Sequence, residues 1–211
     1  MGLLSLLFQE PLLFFVLVGA LVFTLSIHEA SHAWVGSLLG DSTAKRMGRL
    51  TINPLAHLDP IGFLMILLVG FGYAKPVPYN PYNLTYPRWG PALIAAAGPL
   101  SNLLFGIVCS ILYGFIEPNL GGDNLLVLTF WFLGHINFAL MIFNLIPLPP
   151  LDGSKALLAV LAGPQHERAR MMIETQGPTI LFALIMVDLL LNIGVFSWIS
   201  RLSDALFRLL S

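Results

Sequence analysis

The sequence predicts an all-α integral membrane protein: a polytopic helical bundle of about four spans, with a re-entrant segment and a short extended or hairpin piece. Two observations carry this reading. The chain is 57% hydrophobic and only 10% charged, with a mean hydropathy of +0.84, where soluble domains carry roughly 25% charged residues. Its apolar residues also gather into runs long enough to cross a bilayer, separated by short polar stretches. The 211 residues read as one domain, 1–211, without repeats. A net charge of −1 gives no reason to expect a nucleic-acid partner. The one cysteine, Cys109, excludes an internal disulfide and reads as a core or lipid-facing residue.

The first run, Leu12–Leu39, could make about 42 Å of helix, enough to span with tilt. No Lys or Arg precedes it, so it lacks the cationic start of a signal peptide and is expected to remain as a helix. Asp41–Asp59 holds Lys45, Arg46 and Arg49, which the positive-inside rule places in the cytoplasm. Within it, His57 and Asp59 either bond backbone in a tight turn or border a functional site. Ile61–Tyr73 is too short to span comfortably, and the prolines of Ala74–Pro81 force an extended backbone. Residues 61–81 therefore read as a re-entrant segment followed by the extended or hairpin piece, with a fifth span as the alternative.

Pro91–Ile116 is long enough to span, and its Ala95, Ala96, Ala97 and Gly98 allow another helix close approach. Asn102 would bond across that contact or lie near a substrate. Glu117–Asn124 is a short outer loop, and Leu125–Ile146 spans back. Pro147, Pro149 and Pro150 break that helix before Asp152, which either caps the next helix or brings a carboxylate to a polar site. Lys155, Arg168 and Arg170 place 154–176 in the cytoplasm, with a short interfacial helix at Ala156–Leu161. Pro178–Ile199 is the last predicted span. Four spans put both termini outside, although Arg201 and Arg208 near the C-terminus pull against that count.

The chemistry centres on His28-Glu29-Ala30-Ser31-His32, an H-E-x-x-H inside the first apolar run. Residues i and i+4 share a helix face, so His28 and His32 can hold one zinc ion, with Glu29 beside it as a base. The bland alternative is two histidines bonded to neighbours. Three ionisable groups within one span make that alternative costly. A catalytic zinc site wants a third protein ligand. Asp152 is the best candidate, with Asp188, His135 and His57 as weaker rivals.

These elements together resemble the site-2 protease family of intramembrane zinc metalloproteases, in its compact prokaryotic form without PDZ or CBS domain. HEASH matches its H-E-x-x-H, NLIPLPPLDG its N-x-x-P-x-P-x-L-D-G, and GPLSN its G-P-x-x-N, with NPLAHLDPIG and GYAKPVPYNP as further shared pieces. The resemblance implies Zn²⁺ on His28, His32 and Asp152, Glu29 as general base, and Asn144 near the scissile carbonyl. It implies regulated cleavage of the transmembrane segment of a membrane protein within the lipid bilayer of the cell membrane, with the active site toward the cytoplasm. An adaptor or a second copy of the chain would take over what the missing domains do. Asn102, Val77 and Tyr79 are expected at the substrate, the last two by strand pairing, and His57 and Asp59 behind the ligands. The rival readings are a non-enzymatic membrane metal carrier or sensor, a zinc protease with a glutamate third ligand, and a catalytically dead interaction protein of the same fold; the only later glutamates, Glu117, Glu167 and Glu174, lie in no convincing apolar helix, and the intact HEASH and LDG argue against the last.

Overall fold

A computed structural model describes residues 3–70 and 72–211; Phe71, inside the predicted re-entrant stretch, lies outside them. Among the described residues ten α-helices follow in order: α1 Leu3–Gln9, α2 Pro11–Leu38, α3 Thr43–Arg46, α4 Pro54–His57, α5 Pro60–Val69, α6 Gly90–Leu120, α7 Leu125–Asn144, α8 Gly153–Val160, α9 Glu167–Leu191 and α10 Ser197–Leu210. Four of them, α2, α6, α7 and α9, are long and apolar enough to cross a membrane. The chain is a multi-pass helical membrane protein.

Helices α2, α6 and α7 form the centre. Ala20, Cys109 and Leu133 meet there, and the Gly106 backbone lies against the Phe138 ring. Lipid tails are as apolar as these side chains, so close packing and interhelix hydrogen bonds must hold the helices together. Asn137 supplies one such bond, donating to Thr24 Oγ1 at 2.9 Å across the α2–α7 contact.

The stretch read as re-entrant is the ten-residue α5, started by the Asp59 carboxylate and stopped by Gly70 at φ +81°. The extended piece follows, but no strand pairing forms among the described residues, so it is not a hairpin. The reason is local. Pro76 and Pro78 carry no N–H, and the N–H groups of Lys75, Val77 and Asn80 donate to the His57 carbonyl, the Glu29 carboxylate and the Asp41 carboxylate.

The C-terminal third departs from the expected Pro178–Ile199 span. α9 starts earlier, at Glu167, and runs through Pro178. It ends at Leu191, where Asn192 turns left-handed at φ 50° and Gly194 follows at φ +79°. Asp188 closes that turn by accepting the Val195 N–H at 2.6 Å. α10 then packs along α7 and α6, with Ile199, Ser203 and Phe207 on its buried face.

Candidate metal centre

His28 and His32 lie one turn apart on α2 and face Gly98 of α6. A β-carbon at Gly98 would stand 2.5 Å from the His28 ring and 2.6 Å from that of His32, so only glycine lets the helices close around both imidazoles. His32 Nδ1–H donates to the Ile94 carbonyl at 2.7 Å, which leaves the Nε2 lone pair free. His28 Nε2 is 3.0 Å from His32 Nε2.

The third group arrives from the broken junction after α7. Gly153 folds against the Leu145 and Ile146 carbonyls, too close for any side chain. That fold brings Asp152 Oδ2 to 3.1 Å from His28 Nε2 and 3.4 Å from His32 Nε2. Asp152 makes no capping bond to α8, so the capping role open from the sequence is not what it does. Burial works against its charge, but the two imidazoles hold its carboxyl down at a pKa of about 2.

Three ligand atoms thus form a triangle with edges of 3.0, 3.1 and 3.4 Å. A tetrahedral zinc with bonds of about 2.0–2.1 Å has ligand–ligand edges of about 3.3–3.4 Å. The donor set fits such an ion, with an open side for a fourth partner. Glu29 is part of the same group, its carboxylate within 4.8 Å of the imidazole donors. Its Oε2 accepts the Val77 N–H at 3.2 Å.

A cavity of about 720 Å³ opens on these residues, and Asn144, Tyr73, Val77 and Tyr79 are also in its wall. Asn144 donates one amide hydrogen to the Leu140 carbonyl at 3.0 Å, leaving the second. Leu25, Gly72, Leu140, Phe143 and Ile185 are shared with a second apolar groove of about 560 Å³ between α2, α5 and α9. The two spaces therefore adjoin.

Other expected residues sit elsewhere. Asn102 is outside the cavity wall, fully buried, with neither amide atom paired among the described residues. The hydrogen bonds of His57 and Asp59 are those of the backbone-bonding reading. His57 donates from Nε2 to the Thr51 carbonyl at 2.7 Å, and Asp59 accepts from the Ile61 and Gly62 N–H groups at the start of α5. Of the rival third ligands, Asp188 closes the α9–α10 turn and His135 pairs with Asp204 at 3.0 Å. Gly98 meets both imidazoles and the Arg49 guanidinium bonds the Lys75 carbonyl of the extended piece, contacts that the sequence, marking one as a packing residue and the other as a topology charge, does not reveal.

Comparison with known proteins agrees with this geometry. The sequence model for Peptidase family M50 matches residues 119–187, which include Asn144 and Asp152. The chain is 35% identical to "Putative zinc metalloprotease YwhC" of Bacillus subtilis, over 92% of this chain and 90% of that protein. It is 28% identical to "Putative zinc metalloprotease Rip2" of Mycolicibacterium smegmatis, over 90% of this chain and 71% of that one. It is 30% identical to "Zinc metalloprotease MJ0392" of Methanocaldococcus jannaschii, over 70% of this chain and 34% of that one. No solved structure matches at comparable significance. A converged histidine–histidine–aspartate triangle and a relative matched along nearly its whole length lead to one conclusion: the chain belongs to peptidase family M50, the site-2 proteases.

Proposed function

We propose that this chain hydrolyses a peptide bond within or beside the transmembrane helix of a membrane protein, as a step of regulated intramembrane proteolysis. Family membership makes it a zinc metalloprotease embedded in the membrane, which sets aside the metal-carrier reading. The observation that carries the finer proposal is the ligand triangle of His28, His32 and Asp152 at the adjoining apolar cavities.

His28 Nε2, His32 Nε2 and Asp152 Oδ2 would hold the zinc. When bound, zinc acts as a Lewis acid and brings the pKa of a coordinated water to about 7. The remaining work belongs to side chains. Glu29 takes the proton from the attacking water and returns it to the leaving amine. Asn144 is in the cavity wall with one amide hydrogen not used on Leu140, and that hydrogen would donate to the carbonyl oxygen as that oxygen gains charge. Apolar walls from α2, α7 and α9 keep bulk water away from these groups. A helical substrate has its carbonyls bonded within the helix, so it must unwind before Glu29 and Asn144 can reach one. Substrates should therefore carry helix-weakening residues near the cut.

The extended piece is the surface on which an unwound strand would lie, with Tyr79 in the cavity wall. Val77 contributes its side chain rather than its N–H, which Glu29 already holds. The basic residues Lys45, Arg46, Lys155, Arg168 and Arg170 lie at the end of the bundle nearer the triangle, supporting a cytoplasmic active site. The proposal places the reaction in residues 1–211 and gives regulation to an adaptor or a second copy of the chain.

The test is cleavage of a model transmembrane helix by purified protein, with zinc measured in parallel. Glu29→Gln should abolish cleavage with zinc retained, and Asp152→Ala should lose both. Wild-type cleavage by Glu29→Gln would overturn the base assignment, and full zinc binding by Asp152→Ala the ligand assignment.

A further inference from the structure

Among the described residues Glu29 accepts from one backbone donor, the Val77 N–H at 3.2 Å. Val77 lies between two prolines, in a piece that pairs with no other strand among the described residues. Something outside that piece must fix it, and the anchor is two residues away, at Lys75. The Lys75 N–H donates to the His57 carbonyl at 2.8 Å. The Lys75 carbonyl accepts from Arg49 Nη2. The same Nη2 lies 3.4 Å from His57 Nδ1. The His57 ring is oriented by its Nε2–H on the Thr51 carbonyl, which leaves Nδ1 as an acceptor for the guanidinium.

Arg49 is only 5% exposed and its Nε is unpaired among the described residues. A buried cation is expensive without a counter-charge. Burial lowers its pKa, while the Glu29 charge acts in the opposite direction. The guanidinium therefore faces two things at once: the Lys75 carbonyl, one peptide before the one that carries the Glu29 donor, and the field of Glu29 itself. A planar fork suits that double task, and a lysine ammonium on a flexible stem does not.

We propose that Arg49 is a positioning residue for the reaction: by gripping the Lys75 peptide against His57, it sets the Val77 N–H on the Glu29 carboxylate and holds that carboxylate beside the metal ligands. This rests on the reading of Glu29 as the base. Arg49 touches neither substrate nor metal; it acts through two residues of backbone. Misplacing a reacting group by about 1 Å can cost about 100-fold in rate, so the loss should appear in kcat rather than in KM or zinc content.

The experiment is steady-state cleavage of a model transmembrane substrate by Arg49→Gln, Arg49→Lys, Val77→Pro and the Arg49→Gln/Val77→Pro double variant, each with zinc content and helical content measured. Pro76 and Pro78 already keep the backbone extended, so Val77→Pro removes the N–H together with the valine side chain, and Val77→Ala, which keeps the N–H, measures the side chain's share. Arg49→Gln and Val77→Pro should each lower kcat about tenfold or more, with KM within about twofold and zinc unchanged. Arg49→Lys should recover part of that loss. The double variant should be no slower than the slower single one, because both act through one N–H. Wild-type kcat in either single variant, losses that multiply in the double, or loss of zinc from folded Arg49→Gln would each overturn the proposal. Should Arg49→Gln not fold, Arg49→Lys and Val77→Pro decide alone: wild-type kcat in Val77→Pro overturns it. Glu29→Gln run beside them separates the two readings. If Glu29→Gln still cleaves, the base assignment fails; if it is dead and the Arg49 variants are not, only the positioning role fails.

Discussion

Gly98 shows how much of the metal centre depends on an absent side chain. Its α-carbon faces both imidazoles, and any β-carbon would stand within 2.6 Å of them. Gly98→Ala must push α6 from α2 or rotate the histidines off the triangle. The expected outcome is a fall of about 10–100-fold in zinc affinity, the size seen when ligand orientation is disturbed, with helical content retained. Zinc titration of the metal-free variant checks it, and unchanged affinity would contradict the account. The residue scale is also where the sequence was most readable. His28, Glu29 and His32 declare themselves because a helix puts i and i+4 on one face. Asp152 was ambiguous, since an aspartate ahead of a helix reads equally well as a cap, and only the fold-back at Gly153 removes that option. Gly98 and Arg49 could not be read, because what each does depends on the helix or strand opposite.

At the scale of elements, the extended piece is fastened by backbone rather than by a sheet, and Asp41 is its far anchor. Its Oδ1 accepts from the Thr43 N–H at 3.1 Å, the Thr43 hydroxyl at 2.6 Å and Asn83 Nδ2 at 2.9 Å; its Oδ2 accepts from the Asn80 N–H at 2.6 Å. Each of these hydrogen-bond partners is a donor. Burial works to raise its pKa, but these bonds hold it at about 2 against an ordinary 3.8. The folded pKa lies below the unfolded one, so the contribution to stability is complete above about pH 4 and fades as pH falls toward 2. Asp41→Asn would turn an amide N–H toward a donor, at a cost of about 1–3 kcal/mol at neutral pH. The melting-temperature gap between wild type and Asp41→Asn in detergent should therefore be widest at pH 7 and narrow from pH 4 downward. A gap independent of pH would sink this assignment. The sequence showed the prolines and hence the extended backbone, but not that Asp41 held its end. Asp41 and Asn80 are 39 positions apart, and their contact exists only once α2 and α6 are packed.

Across the whole molecule, α10 makes the proposed orientation of the bundle testable. Phe196, next to the start of α10, packs on Phe143, near the metal-centre end of α7. Ser203 donates to the His135 carbonyl, Phe207 lies against Gly134, and Ser211 reaches Gly114 near the far end of α6. α10 thus climbs the outer side of the bundle away from the metal, and its last residue ends on the same side as the α6–α7 loop. The sequence argued weakly against this, because Arg201 and Arg208 suggested a cytoplasmic tail. The break at Asn192 and Gly194, invisible within an apolar run, is what turns a predicted single span into α9 followed by a separate amphipathic helix. If the proposed orientation holds, Ser211 and Asp123 face outward and Gln165 faces the cytoplasm. Cys109 is buried and can be replaced by serine, leaving a background for single cysteines at 123, 165 and 211. A membrane-impermeant maleimide applied to intact cells should label Asp123→Cys and Ser211→Cys, and should reach Gln165→Cys only after permeabilisation. The reverse pattern would put the metal centre on the outer face. Labelling of 211 with 165 rather than with 123 would mean that α10 does not run along α7 in the membrane. Because α10 covers α6 and α7 opposite the metal, Phe207→Ala should loosen the bundle without touching the site. Emptying the space between His135, Tyr113 and Gly134 should cost about 3–5 kcal/mol of stability, read as a lower melting temperature with zinc affinity unchanged.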